Sequence, residues 1–299
     1  MTTLADAAAH TVVVLDGGLA TELERQGSDI SGHLWSARLL RDSPAAVVAT
    51  HRAFFAAGAD VATTASYQAT YQGFAAAGLD QAETTALLHL SVRLARDAAD
   101  EVTGRPTWVA ASVGPYGAML ADGSEYRGDY GLTVEQLRAF HRPRLEALAA
   151  AGADVLALET VPAAAEAEAL LAEVDRLGFP AWLSLSVSGD RTRAGEPVGE
   201  LYRMAADVDA VVAVGVNCSA PDDVSRVVPL ASVFGKPVVA YPNSGEGWDA
   251  ATRSWVGDPG FAADQVRDWV RHGARLVGGC CRVTPAQITD IARVARGQT

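Results

Sequence analysis

Ala150-Ala151-Gly152-Ala153-Asp154-Val155-Leu156-Ala157-Leu158-Glu159 holds, in ten residues, a helix end, a tight turn and a whole strand. Gly152 fits the left-handed position that closes a helix, and the apolar run behind it is too short for anything but a buried strand. The same Ala-Gly-Ala-Asp phrase stands at Ala57 to Asp60, and His-Gly-Ala-Arg at His272 to Arg275 introduces another apolar run. On either side of these phrases, short apolar segments alternate with longer amphipathic ones. The short segments are Thr11 to Leu15, Asp60 to Thr64, Thr107 to Val113, Asp154 to Glu159, Ala181 to Val187, Ala210 to Asn217, Pro237 to Tyr241 and Arg275 to Gly279. Rich in Val, Ala and Leu with little charge, they read as parallel strands covered by helices. Between them, Pro44 to Ala57 reads as a helix with Ser43 as its N-cap. Thr133 to Ala151 opens with a capping box completed by Gln136, and Pro143 within it should kink or break the helix. Thr284-Pro285 starts the last helix in the manner of Ser43-Pro44.

Eight such units in 299 residues point to an α/β fold of one domain spanning 1–299, a (β/α)8 TIM barrel. The rival is a doubly wound open sheet, against which no Gly-x-Gly-x-x-Gly fingerprint follows the first strand. With 49% hydrophobic and 20% charged residues, the chain can fill a large core. Its net charge of -12 disfavours nucleic acid as a partner. No apolar run reaches the ~18–20 residues of a membrane span, and the first one, Val12 to Leu15, is too short for a signal-peptide core. The expectation is a cytoplasmic protein, whose thiols stay reduced.

A barrel keeps its chemistry at the C-terminal ends of its strands. The chain's three cysteines sit there: Cys218 closes the sixth strand in Gly-Val-Asn-Cys, and Cys280 and Cys281 close the eighth in Gly-Gly-Cys-Cys. Converging soft thiolates suit Zn²⁺, and a site with three protein ligands leaves a fourth position for substrate, as catalytic zinc requires. Buried apolar cysteines, or a redox pair at Cys280 and Cys281, are the competing readings; the pair would leave Cys218 without a role. The glycines are expected to let the backbone turn tightly enough to aim both sulfurs at one ion. The histidines read as solvated or core residues, since His51, His89 and His141 fall within helices and His272 ends one. Lys236, the single lysine, lies at the opposite rim.

Leu15 to Leu23 (Leu-Asp-Gly-Gly-Leu-Ala-Thr-Glu-Leu), Val113 to Gly117, Asp122 to Tyr126, Gly215 to Cys218, Tyr241 to Glu246 and Gly278 to Cys281 together resemble the homocysteine S-methyltransferase family. The likeness runs from near residue 11 to near residue 296. It implies a TIM barrel with a three-cysteine zinc centre at Cys218, Cys280 and Cys281, where a homocysteine thiol becomes the fourth ligand. A free thiol of pKa ~8.5 is mostly protonated at neutral pH, and coordination to zinc ionises it. The ionised sulfur would take a methyl group from a sulfonium donor, giving methionine. The resemblance further implies that Asp16 and Glu159 bind the substrate ammonium, and that Gly17 and Thr64 help seat its carboxylate.

A sulfonium is a cation, and aromatic faces attract cations, so Trp35, Tyr67 and Tyr116 are candidate donor-pocket rings. Asn243 and Glu246 are candidates for polar contacts to donor or substrate. Thr160 stands where betaine-using relatives carry tyrosine, and the chain lacks their C-terminal extension. Both features favour S-methylmethionine, or S-adenosylmethionine, over betaine, and a monomer or small homo-oligomer over a tetramer. Methylation of a related thiol or selenol such as selenocysteine, and a non-catalytic zinc- or thiol-sensing barrel, are the other functional readings.

Overall fold

The computed structural model describes residues 2–30, 35–249, 254–257, 261 and 264–298. Eight strands form one parallel sheet: β1 (Val13–Val14), β2 (Val61–Thr63), β3 (Trp108–Val113), β4 (Val155–Val161), β5 (Ala181–Leu185), β6 (Val211–Asn217), β7 (Val238–Tyr241) and β8 (Ala274–Val277). Sequence neighbours pair from β2 through β8, and β8 pairs back onto β1 with Val13 opposite Leu276. A parallel bridge between Leu15 and Val61 joins β1 to β2 and closes the ring. All eight expected strands are present and the open-sheet alternative falls. The last one stops at Val277, so Gly278 and Gly279 belong to the loop that follows it.

Successive strand residues point to opposite faces, and this parity sorts the core into two. Val61, Trp108, Ala110, Val155, Ala157, Trp182, Ala213, Val239 and Leu276 pack together inside the ring. Their neighbours Leu156, Leu158, Leu183, Leu185, Val214 and Val216 face outward under the helices. Leu4, Ala7 and Ala8 of the helix Leu4–His10 join the inner cluster and stopper the N-terminal mouth, where Trp108 Nε1 donates to the Thr2 carbonyl at 3.2 Å. That helix is an element the strand count does not anticipate, although Thr3 and Asp6 form the capping box that starts it.

The repeated Ala-Gly-Ala-Asp phrase has a second purpose besides ending a helix. Asp60 Oδ2 accepts the backbone N–H of Val14 at 3.0 Å, and Asp154 Oδ2 that of Val109 at 2.7 Å, so each aspartate ties its strand to the preceding one. Arg296 and Arg96 neutralise them at 2.9 and 2.6 Å.

The helix Val134–Ala150 has the expected capping box, Gln136 N donating to Thr133 Oγ1 at 3.2 Å. It runs through Pro143 without a break. Burial of Phe140, Arg144, Leu145 and Leu148 on the flanking turns outweighs the missing backbone bond. Ser43 does precede the helix Pro44–Ala56 as its N-cap, but its side chain makes no capping bond. No helix among the described residues is long and apolar enough to cross a membrane.

Candidate active site

The inward parity of the strands continues one layer above the apolar core and there becomes polar. Thr63, Ser112, Glu159 and Tyr241 take the inner positions at the C-terminal end and line a cavity of about 830 Å³, measured out to bulk solvent. Ser184 and Asn217 complete that layer on β5 and β6 by the same alternation. The loops after β1, β2, β3, β6 and β8 add Asp16, Gly17, Thr64, Tyr67, Gln68, Glu125, Tyr126, Cys218, Cys280 and Cys281.

The three sulfurs converge. Their Sγ atoms all lie within 4.8 Å of one another, and Cys218 and Cys281 are 3.7 Å apart. A tetrahedral zinc with bonds of about 2.3 Å requires S···S edges of about 3.8 Å, so the donor set fits such an ion. Hydrogen bonds from the Cys280 and Cys281 thiols hold the Cys218 thiol well below the ordinary cysteine range. Tyr126 brings its hydroxyl to 3.3 Å from Cys218 Sγ.

The cluster is positioned by its surroundings. Cys218 has a left-handed backbone (φ 47°), as does Thr160 (φ 60°), a conformation that costs a β-branched residue about 1–3 kcal/mol. Asn217, fully buried, holds Thr160 in place. Its Oδ1 accepts from the Thr160 N–H at 2.7 Å and from Ser184 Oγ at 2.8 Å, and its Nδ2 donates to Thr160 Oγ1 at 2.9 Å. The same Nδ2 reaches Cys280 Sγ at 3.9 Å. On the other side, the Cys280 N–H donates to the Pro242 carbonyl at 2.7 Å and the Cys281 N–H to Asn243 Oδ1 at 3.2 Å.

Gly278 and Gly279 do not act through a left-handed turn, as the sequence suggests, since neither has a positive φ. They act through space: a Cβ on Gly278 would lie 2.7 Å from Leu15 Cβ, and one on Gly279 would lie 2.2 Å from Val283 Cγ1. The left-handed residue of that loop is Arg282.

Asp16 and Glu159 are 3% and 7% exposed and face the same cavity. Asp16 accepts from the Thr63 N–H at 2.7 Å and from Thr63 Oγ1 at 2.8 Å. Glu159 accepts from Ser112 Oγ, and from the Tyr241 hydroxyl at 3.0 Å. Loss of water still dominates, and burial pushes each acid up to about 7. Two desolvated acids with no cationic partner bonded to them among the described residues make a site suited to a cation.

Gly17, Thr64 and Tyr67 line the cavity as the sequence indicates, Thr64 Oγ1 also accepting the Ser112 N–H at 3.0 Å. Asn243 and Glu246 do not line it. Asn243 braces Cys281, and Glu246 pairs with Arg282 at 3.0 Å. Tyr116 packs against Tyr130 and edge-on against Phe140 instead. Trp35 begins the helix Trp35–Asp42, but its side chain lies outside the described residues.

The histidines take core and surface roles: His51 is fully buried, His141 bonds Glu166 at 2.9 Å, and His272 bonds the Asp268 carbonyl. Lys236 Nζ donates to the Val208 carbonyl at the far rim. Sequence reasoning missed Ser112, Asn217 and Tyr241, although strand parity could have found them. It also gave no role to Glu125, Tyr126 and Gln68, which only loop geometry brings into the cavity.

A parallel barrel with three converging thiols and two desolvated carboxylates at its C-terminal mouth defines a barrel whose thiol cluster can hold a metal ion, with room for substrate beside it. The sequence model of the homocysteine S-methyltransferase family matches residues 13–295, and the chain belongs to that family. It is 44% identical to the homocysteine S-methyltransferase YbgG of Bacillus subtilis, over 96% of this chain and 95% of that one. It is 46% identical to the homocysteine S-methyltransferase of Escherichia coli, over 94% of each. The metallated crystal form of the homocysteine methyltransferase MmuM from Escherichia coli superposes with a TM-score of 0.86. Its identity is 42%, over 95% of this chain and 96% of that one.

Proposed function

We propose that this chain, as a single barrel unit, transfers a methyl group from a sulfonium donor to the thiol of homocysteine, with zinc held by Cys218, Cys280 and Cys281. The observation that carries the reading is the convergence of three sulfurs within 4.8 Å in a cavity shared with Asp16 and Glu159. When bound, zinc would supply the Lewis acidity that keeps a fourth-ligand thiol ionised at neutral pH.

The remaining work falls to the chain's own residues. Asp16 and Glu159 each have a carboxylate awaiting a cation, and the homocysteine ammonium is that cation. Its arrival brings both acids back to the ionised form. Gly17 and Thr64 line the same cavity and border the space for the carboxylate. Held at both ends, the amino acid presents its sulfur toward the cysteine cluster, which lowers the entropic part of the barrier.

In the transfer, a lone pair on the homocysteine sulfur forms a new S–C bond to the donor methyl. The S–C bond of the sulfonium breaks, and its electron pair leaves with a neutral thioether. The thiol proton is lost to solvent before this step, and no side-chain base at the attacking sulfur is required. With S-methylmethionine as donor, both products are methionine. A cytoplasmic setting fits the three free thiols, which an oxidising compartment would not preserve, and a monomer or small homo-oligomer is the assembly proposed with it.

Zinc-loaded protein is to be assayed for methionine from homocysteine with S-methylmethionine, S-adenosylmethionine and betaine in turn, and with selenocysteine as a competing acceptor. Turnover with a sulfonium donor and about one zinc per chain are expected, both lost in Cys218→Ala, Cys280→Ala or Cys281→Ala. A zinc-loaded protein that forms no methionine with any of these donors overturns the proposal, and turnover undiminished in the metal-free variants removes zinc from it.

A further inference from the structure

The mouth of the barrel contains more desolvated polar groups than homocysteine can use. Asp16 and Glu159 account for one ammonium. Glu125, in the short 3-10 turn Ser124–Tyr126, is 5% exposed and also lines the cavity. Its Oε2 is sealed from solvent and has no hydrogen-bond partner among the described residues. Gln68, 3% exposed, lines the same cavity. Its Nε2 donates to the Ala118 carbonyl at 2.9 Å, which fixes the amide, while its Oε1 is likewise buried and without a partner. Two unsatisfied acceptors in one cavity cost about 1–3 kcal/mol each, and more for the charged one. Such an arrangement is expected where a ligand brings the missing donors.

These two residues belong to one piece of structure. Gln68 is pinned to Ala118 in the helix Tyr116–Leu120, and the adjacent Gly117 packs so closely on Glu125 that a Cβ there would lie 2.4 Å from the Glu125 N–H nitrogen. The next residue, Tyr126, places its hydroxyl 3.3 Å from Cys218 Sγ. The pair therefore sits beside the residue that contacts the thiol cluster at Cys218. Tyr67 and Tyr126 line the same cavity.

We propose that Glu125 and Gln68 form a second ammonium subsite, which holds the α-amino group of the methyl donor. The inference rests on the methyltransferase reading above and narrows its donor class. A sulfonium centre has no N–H and a quaternary ammonium has none either, so neither can satisfy two bare acceptors. A primary ammonium carries three N–H donors and a positive charge, which is what an unpaired carboxylate oxygen and an unpaired amide oxygen lack. The subsite thus selects α-amino-acid sulfonium compounds over betaine and over sulfonium carboxylates that lack an amine. Burial pushes Glu125 up to about 7, as it does Asp16 and Glu159, and an arriving ammonium reverses that.

The test measures binding on zinc-loaded protein by calorimetry, without homocysteine, so that no turnover is needed. The probes are S-methylmethionine and dimethylsulfoniopropionate, a sulfonium carboxylate without the amine. Glu125→Gln, which keeps shape and removes charge, is expected to weaken S-methylmethionine binding about 10- to 100-fold. Dimethylsulfoniopropionate should bind the wild type more weakly than S-methylmethionine and change less than about 3-fold in the variant, by the same conversion. Zinc content, and homocysteine binding measured separately by calorimetry, stay at wild-type values. Glu125→Asp, which keeps the charge but withdraws it by one methylene, serves if the first variant folds poorly; it should show an intermediate loss confined to the amine-bearing donor. Equal losses for both probes, unchanged S-methylmethionine binding in Glu125→Gln, or no binding of S-methylmethionine to the wild type would each overturn the subsite. Wild-type protein that binds S-methylmethionine but forms no methionine would leave the subsite standing and count against the methyltransferase reading alone.

Discussion

Replacing Asn217 by alanine tests whether one buried amide organises the mouth of the barrel. Three hydrogen bonds disappear: to the Thr160 N–H, to Thr160 Oγ1 and to Ser184 Oγ. Each is worth about 0.5–1.5 kcal/mol net, and the Thr160 N–H, which cannot rotate toward another acceptor, is left buried and unpaired. The sum is about 3 kcal/mol, a large part of a typical total stability of roughly 5–15 kcal/mol. In a chain of this size that lowers the melting temperature by about 5 °C. Because the same amide reaches Cys280 Sγ, zinc affinity should fall by about 10- to 100-fold, as for the loss of other groups that brace metal ligands. Thermal unfolding of metal-free protein reads the first quantity, and competition with a chromophoric chelator the second. Thr160→Gly in the Asn217→Ala background should restore about 1 kcal/mol, because glycine accepts the left-handed backbone that Asn217 otherwise enforces. A stability loss under about 1 kcal/mol together with unchanged zinc affinity would show that Asn217 is a spectator, and the reasoning would be wrong.

Two further outcomes follow from the same geometry. Asp16 is pushed up to about 7 in the folded, ligand-free protein and sits at about 4 when unfolded, so its proton stabilises the fold below pH ~4 and that contribution is lost as pH rises through 7. Relative to wild type, metal-free Asp16→Asn should therefore gain about 2 kcal/mol between pH ~5 and pH ~7 in urea unfolding, and parallel stability curves would refute the shift. Gly279→Ala puts a Cβ 2.2 Å from Val283 Cγ1, so the loop bearing Cys280 and Cys281 must move. Bound zinc should drop well below one per chain by elemental analysis, and full occupancy would show that the close approach is tolerated.

The eight-fold alternation of short apolar and long amphipathic segments, punctuated by Gly58, Gly152 and Gly273, determined the barrel without any tertiary information. It did so because a parallel strand buried on both faces and a helix buried on one leave different periodicities in the chain. The cysteines were legible for a related reason: strand ends are countable, and a barrel puts all C-terminal ends at one rim. Glu159 could be read as an acid closing an apolar run, and Asp16 as the residue before two glycines.

Other features depended on distances that no spacing encodes. Asn243 turned inward to brace Cys281 rather than toward the cavity, and Tyr116 settled against Tyr130 and Phe140, because loop side chains follow local packing. The left-handed backbones of Thr160 and Cys218 are imposed by contacts across the barrel and oppose the local preference of threonine. Glu125 and Gln68 stand 57 residues apart in sequence, on loops that meet once β2 and β3 have paired. Periodicity is a property of neighbours along the chain, so the sequence alone determined the barrel and the rim on which its chemistry sits. Which acceptors remain unpaired at that rim was decided by the folded structure, because a missing hydrogen bond is defined only when every potential partner has been placed.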